Sequence, residues 1–409
     1  MLGQRRLFRD LDVGLLLTVV GLIIFGLVAI YSATYVSEAP TGQPKFAKQV
    51  LWAFLGLFIL ATVTFTPIKF FYKHAYALYA VTLLMLVVVL FVGTGAGTRR
   101  WIAFGPAWIQ PAEFAKIGTL LALAKYLSHT NRNLDRLREV GLAFGLTFVP
   151  LILIMKQPDL GSALVFLALI LPLMHWAGLS PVVLFVLLAP FVSLVCAFNY
   201  YSFFAAMFVI SIALFLFKRG LTFFLINFVF NIGVGVLTPI MWNLLKDYQK
   251  NRILTFMGLV QDPHGLGYQV IQSKVAIGSG GLVGKGFLDG TQTHLRFLPE
   301  QHTDFIFCVI GEEFGFLGAF VVIVLFFYLI YKGISIATSV KSKFSSLLVF
   351  GGTAIFLFQV FVNIGMTVGI MPVTGLPLPF LSYGGSSLLA NLVIVGLLLN
   401  ASRKRFEYL

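Results

Sequence analysis

Residues 261–315 read QDPHGLGYQVIQSKVAIGSGGLVGKGFLDGTQTHLRFLPEQHTDFIFCVIGEEFG. Most of this stretch is polar and rich in glycine, and it has no apolar run long enough to cross a bilayer until its end. A loop of this length is uncommon and usually functional. On both sides the chain changes character. Over all 409 residues, 59% are hydrophobic and 11% charged, and mean hydropathy is +0.96. Soluble domains carry roughly 25% charged residues. Apolar runs of about 18 residues recur along the chain, each able to span about 30 Å of hydrocarbon. The reading is an all-α, polytopic transmembrane helix bundle. A transmembrane barrel would show short alternating strands instead.

The apolar runs give about twelve spans. They fall at roughly 12–34, 47–66, 74–93, 110–127, 139–156, 159–177, 181–198, 200–217, 221–242, 304–331, 346–369 and 386–401. Residues 1–409 form a single membrane domain, with a long loop at 243–303. The first apolar run is too long for a signal-peptide core and reads as a retained helix. Lys and Arg set the orientation. Arg5, Arg6, Arg9, Lys69, Lys73, Lys125, Lys218, Arg219, Lys332, Lys341 and Arg403 fall on one side. That side is the cytoplasm and holds both termini, so the 243–303 loop is extracytoplasmic. The net charge of +14 follows mainly from this bias. It is no argument for nucleic acid, because no soluble segment shows a basic stripe with interleaved aromatics. Cys196 and Cys308 lie in apolar contexts and offer no zinc or disulfide framework.

Common cofactor motifs fail. GSGGLVGKG is not a phosphate loop, since Ser279 stands where a glycine is needed and Gly286 where Ser or Thr is needed. Its glycines read as tight turns. Charges inside apolar runs carry more weight, because each needs a partner or a watery cavity. Glu113 and Lys116 share one helix face. Asp159 begins another span. Glu312 and Glu313 lie about 12 Å into a third, at 1.5 Å per residue from Asp304. Together they suggest a polar cavity opening outward. Arg99 and Arg100 suit a phosphate, and Trp101 suits an interfacial anchor. Asp262, in the turn DPHGLG, is a candidate general base, although Asp-Pro is also an ordinary turn initiator. His264, His294 and His302 are alternatives, with a helix-cap role competing at His302.

Long ordered strings also carry a resemblance. They are GTRRW, QPAEFAK, QPDLGSA, DPHGLGYQVIQSKVAIGSGGLVGKGFLDGTQ, FLPEQHTDFIF, GEEFG and NIGM with GIMPVTGLPLPFLSYGGSS. In these, and over nearly the whole chain, the sequence resembles the SEDS family of cell-shape, elongation, division and sporulation proteins. Within it the rod-shape-determining RodA branch is more similar than the division branch. The resemblance implies a peptidoglycan glycosyltransferase that polymerises lipid II beside a class B penicillin-binding protein. It implies that Asp262 is the essential loop aspartate. It also implies that Arg100, Glu113, Lys116 and Asp159 belong to the substrate site. Lys274 and His302 join them as candidate substrate-binding residues. No cofactor is required, and a divalent cation, Mg or Mn, on the pyrophosphate is compatible with the chain. The family usually has ten spans, so residues 200–242 are expected to form an extra, peripheral helical pair. Two rival readings are a lipid II flippase and a non-catalytic scaffold for the penicillin-binding protein.

Overall fold

The structure, a computed structural model, describes residues 11–35, 45–94, 99–105, 107–129, 137–244, 250–251, 254–255, 266–294 and 301–403. The chain begins with three helices, α1 (Val13–Tyr35), α2 (Lys45–Phe65) and α3 (Ile68–Val92). A short antiparallel hairpin follows, β1 (Ile102–Phe104) and β2 (Ala107–Ile109), in which Ile102 pairs with Ile109. Next come α4 (Pro111–Ser128), α5 (Leu137–Met155), α6 (Leu160–Trp176), α7 (Pro181–Cys196), α8 (Tyr200–Leu216) and α9 (Leu221–Leu244). The long loop contributes α10 (Leu266–Ser279) and a single turn, α11 (Thr291–His294). The chain closes with α12 (Ile306–Glu313), α13 (Gly315–Ser339), α14 (Lys343–Thr367) and α15 (Gly385–Arg403).

Every apolar segment expected from the sequence holds a helix. Among the described residues eight helices are long and apolar enough to cross a membrane, and α6, α7 and α8 are shorter apolar helices. Helix α4 carries Glu113, Lys116 and Lys125, yet it is buried over nearly its whole length. A helix that is buried all round belongs at the centre of a bundle. Helices α3 and α14 pack on it most extensively, with α5, α6 and α15 also against it. Lipid gives helices no hydrophobic drive to associate, so close approach at small residues does the work. At Gly351 an added Cβ would lie 2.4 Å from Leu120, and at Gly352 it would lie 2.7 Å from Ile394. These two glycines let α4 and α15 press against α14.

Start signals are readable at several helices. Asp159 caps α6 by accepting from Ser162 N, and Ser180 caps α7 with Pro181 in its first turn. Asn199 caps α8 and Ser342 caps α14. Each side-chain oxygen satisfies an amide that has no partner within its helix.

The span expected at 304–331 is corrected. Two helices occupy that stretch and meet at Gly315, whose φ is +62°. The amides of Phe316 and Leu317 bond to the carbonyls of Gly281 and Leu282 in the loop. Glu312 and Glu313 therefore end a short helix beside the loop and do not lie inside a span.

Helices α8 and α9 pack on α7 and on each other at the edge of the bundle. Ser193 donates to Asn231 Oδ1 at 2.8 Å inside this group, where Asn231 is buried. A buried polar contact of this kind ties helices together where hydrocarbon offers no competing partner.

Candidate functional site

At the end of the bundle that carries the loop, a cavity of about 450 Å³ opens between the hairpin, α4, α6, the segment before α12 and the turn before α15. Its wall is polar. Arg100, Gln110, Glu113, Asp159 and Ser162 form one side, and His302, Asp304, Tyr383 and Ser387 form the other.

Local structure fixes the Arg100 side. Thr94 and Trp101 exchange backbone hydrogen bonds at 2.9 and 3.3 Å, which holds the strand at the mouth of α3. The Arg100 guanidinium donates to Gln157 O at 3.3 Å and to Pro158 O, and lies 3.9 Å from Asp159 Oδ1. Asp159 also accepts from Ser162 Oγ at 2.9 Å and from Gln110 Nε2 at 3.1 Å. A carboxylate held by several donors stays fixed, and a planar guanidinium anchored at its rim presents its remaining donors in one direction. The arrangement can bind an anion such as a phosphate.

Glu113 stands on the cavity wall with Lys116 behind it. Their side chains meet at 2.7 Å and each is 1% exposed. Lys116 is not part of the lining. The i,i+3 spacing puts both on one helix face, and tertiary packing turns only Glu113 toward the cavity.

On the opposite side, Lys45 Nζ lies 3.0 Å from His302 Nε2. An ammonium can only donate, so Nε2 accepts and the ring proton sits on Nδ1. The PVTGLPLPFLSYGG segment, residues 372–385, is laced to this edge. Tyr383 N bonds to His302 O at 2.9 Å and Ser382 Oγ to Thr303 O at 2.6 Å, and Asn363 Nδ2 holds both Asp304 O and Leu376 O.

The glycine-rich motif GSGGLVGKG has a structural partner in GEEFG. Lys285 N and Gly286 N bond to the carbonyls of Glu312 and Glu313. An added Cβ at Gly284 (φ +87°) would lie 2.0 Å from Glu313 O, so the backbones touch where a side chain cannot fit. The Glu312 carboxylate accepts from Lys285 Nζ at 2.8 Å, Thr291 Oγ, Gln292 N, Thr293 N and Thr293 Oγ. Burial raises its pKa, and these donors more than offset that, leaving it below the ordinary carboxylate value. Glu313 accepts from Ser32 Oγ on α1, and burial pushes it up to about 7. The two acids therefore belong to a loop platform and not to the polar cavity expected for them.

Lys274 is exposed on α10, with its ammonium against the backbone of Gly369, and it does not line the cavity. Asp262 and His264 lie outside the described residues. Arg99 donates to Leu90 O at 2.9 Å on the exposed side of the hairpin. Gln110, Asp304, Tyr383 and Ser387 were not singled out from the sequence. Gln110 opens the QPAEFAK string and Ser387 closes SYGGSS, so both motifs held the signal. Among the described residues no three His, Cys, Asp or Glu side chains converge as metal ligands. Two larger cavities of about 610 Å³ lie elsewhere, one lined almost wholly by hydrocarbon between α6, α7, α13 and α14.

The profile of the FtsW, RodA and SpoVE family, described as "Cell cycle protein", matches residues 13–207 and 203–407. The two matched stretches meet inside α8. A peptidoglycan glycosyltransferase RodA of Treponema pallidum is 34% identical, over 97% of this chain and 98% of its own length. The peptidoglycan glycosyltransferase MrdB of Escherichia coli K12 is 35% identical, over 97% and 94%. A chain from the solved structure "Structural coordination of polymerization and crosslinking by a peptidoglycan synthase complex" superposes with TM-score 0.72. It shares 33% identity and covers 97% of this chain and 99% of that one. The rod shape determining protein RodA of Thermus thermophilus gives TM-score 0.62 at 28% identity, covering 97% and 98%.

Proposed function

This chain belongs to the FtsW, RodA and SpoVE family, and we propose that it is a peptidoglycan glycosyltransferase that polymerises lipid II into glycan strands during cell elongation. The observation that carries the reading is the polar cavity at the loop-bearing end, with the anchored Arg100 guanidinium on its wall. An anionic diphosphate head fits such a wall, and its lipid tail remains in the surrounding bilayer.

The reaction is a glycosyl transfer with inversion. A sugar hydroxyl of the acceptor attacks the anomeric carbon of the donor. The new C–O bond forms as the bond to the diphosphate breaks, and the leaving diphosphate takes the electron pair. Asp262 accepts the hydroxyl proton as general base. Arg100 stabilises charge growing on the leaving group, a term that is usually large. Asp159, Gln110 and Ser162 hold Arg100 in place. Glu113 and Lys116 keep the wall charged, with Lys116 acting through Glu113. His302 lines the other side of the cavity, where its ring can meet the substrate. Lys274 accompanies Asp262 through α10, the helix that follows it.

In this reading both termini are cytoplasmic, and the loop and cavity face the outside of the bacterial cytoplasmic membrane, where lipid II is displayed. The partner is a class B penicillin-binding protein that crosslinks the strands. The helical pair at 200–242 sits at the periphery, away from the cavity. Two observations favour transfer, one against flipping and one against a scaffold. The charged wall lies at one end of the bundle, and a transporter is expected to bind near the midplane. A scaffold would have no use for a buried Glu113–Lys116 pair, which costs desolvation.

The test is purified protein with fluorescent lipid II in detergent, where a flippase has no sides to work between. Polymer on a gel, with and without the penicillin-binding protein, supports the reading. Lipid II recovered unchanged in both arms contradicts it.

A further inference from the structure

Beneath the cavity floor lies a set of buried side chains whose hydrogen bonding is incomplete among the described residues. Lys116 carries three donors and meets only Glu113, at 2.7 Å. The Thr119 hydroxyl, both amide atoms of Gln359 and the Asn391 carbonyl oxygen also have no hydrogen-bond partner, and their residues are 0–1% exposed. Groups of this kind are rarely left orphaned in a native interior.

Helix geometry brings them together. Leu120 of α4 contacts Gly351 of α14, and Ile394 of α15 contacts Gly352. Lys116 is one turn from Leu120, and Thr119 is on the Lys116 face at i+3. Gln359 is two turns beyond Gly352, at i+7, on the face that α14 turns to Ile394 of α15 and Leu120 of α4. Asn391 is one turn before Ile394. Side chains lean toward the N-terminus of their helix. Lys116 therefore leans toward the cavity and Gln359 leans back from it, so their polar ends converge. Asn391 Nδ2 bonds to Ser387 Oγ at 3.4 Å, and Ser387 lines the cavity.

We propose that Lys116, Thr119, Gln359 and Asn391 enclose a site for a small cluster of ordered water. Such water supplies the acceptors that Lys116 lacks and the donors that Thr119, Gln359 and Asn391 can accept. It joins the ion pair to the cavity through Ser387. Gln359 and Thr119 are thus positioning residues. They hold the Lys116 side chain in place, and Lys116 holds Glu113 in position on the cavity wall. The catalytic consequence rests on the proposed glycosyl transfer, whereas the hydration itself does not.

The test is a double-mutant cycle. Gln359→Met keeps size and removes the amide, and Thr119→Val removes only the hydroxyl. Each is made in the native protein and in a Glu113→Gln, Lys116→Met background. In the native protein either change is expected to lower Tm by about 3 °C or more and to reduce kcat roughly tenfold at little changed KM. In the neutral background the same change is expected to leave Tm unchanged or raise it, because no stranded charge remains. Equal effects on Tm in both backgrounds would overturn the proposal. Hydroxyl-radical footprinting of the unmodified protein reads the same site if the neutral background does not purify. Phe356 and Leu120 are fully buried beside it, and Phe344 is buried at the far end of α14. Oxidation of Phe356 or Leu120 above Phe344 supports internal water, and equal protection of all three contradicts it. A wild-type protein that makes no glycan yet shows the coupling would refute the proposed reaction and leave the water site standing.

Discussion

Lys285 and Glu312 meet at 2.8 Å and join two glycine-rich motifs 27 residues apart. The carboxylate is fully buried, and the lysine is about a quarter exposed. In sequence the pair brackets the cavity-lining segment from His302 to Asp304, with Lys285 before it and Glu312 after it. Glu312 thus ties the glycine-rich part of the loop to the helix that follows the cavity-lining segment.

Replacing Glu312 by Ala takes the acceptor from four donor groups and leaves the Lys285 ammonium with only Thr291 Oγ, at 2.6 Å. Breaking a buried pair in this way costs on the order of 3 kcal/mol. Glu312→Ala is expected to lower Tm in detergent clearly. Lys285→Gln is expected to cost less, because water can reach that side. A Glu312→Ala protein as stable as wild type would contradict the clamp.

Glu313 gives the platform a pH dependence. Its folded pKa is raised to about 7 by burial, above the ordinary value for Glu. The folded state therefore holds the proton more tightly than the unfolded state. This contribution is fully present below about pH 4 and is lost as pH rises through about 7. Glu312 has the opposite sign, since its folded pKa is lowered and its contribution fades as pH falls. Glu313→Gln is expected to flatten the loss of Tm between about pH 4 and pH 7, the window between the unfolded and folded Glu313 values. An unchanged slope in that variant would show that Glu313 is not the responsible group.

How much of this was legible in the sequence depends on the kind of signal. Span positions were readable, because hydrocarbon thickness sets their length and polar residues end them. The break at Gly315 was not, because it depends on backbone bonds from Phe316 and Leu317 to a distant loop. Glu113, Lys116 and Asp159 were readable as costly charges in apolar runs, and Arg100 as an arginine suited to a phosphate. The placement of Glu312 was misread for the same reason the span was, since a charge beside an apolar run looks intramembrane until the helix boundary is known. GSGGLVGKG could be excluded as a phosphate loop from its residues alone. Its true partner, GEEFG, could not be found without the contact between the two backbones.

Arg100 offers a sharp test of the anion wall. Its guanidinium reaches Gln157 O, Pro158 O and Asp159 together, a span a lysine ammonium cannot copy. Arg100→Lys is expected to fold, because the residue is partly exposed at the cavity mouth. Its glycan synthesis is expected to fall by about 100-fold, the usual loss when one charge-stabilising donor is removed. Near wild-type synthesis by Arg100→Lys would mean that a point charge is sufficient and that the anchored geometry does not matter.

The most direct test of the central claim is lipid II polymerisation by purified Asp262→Asn, side by side with wild type and with the penicillin-binding protein present. The amide keeps the size and the turn but cannot take a proton. The account predicts glycan from wild type, none from Asp262→Asn, and equal Tm for the two. Glycan from Asp262→Asn at the wild-type rate would contradict it.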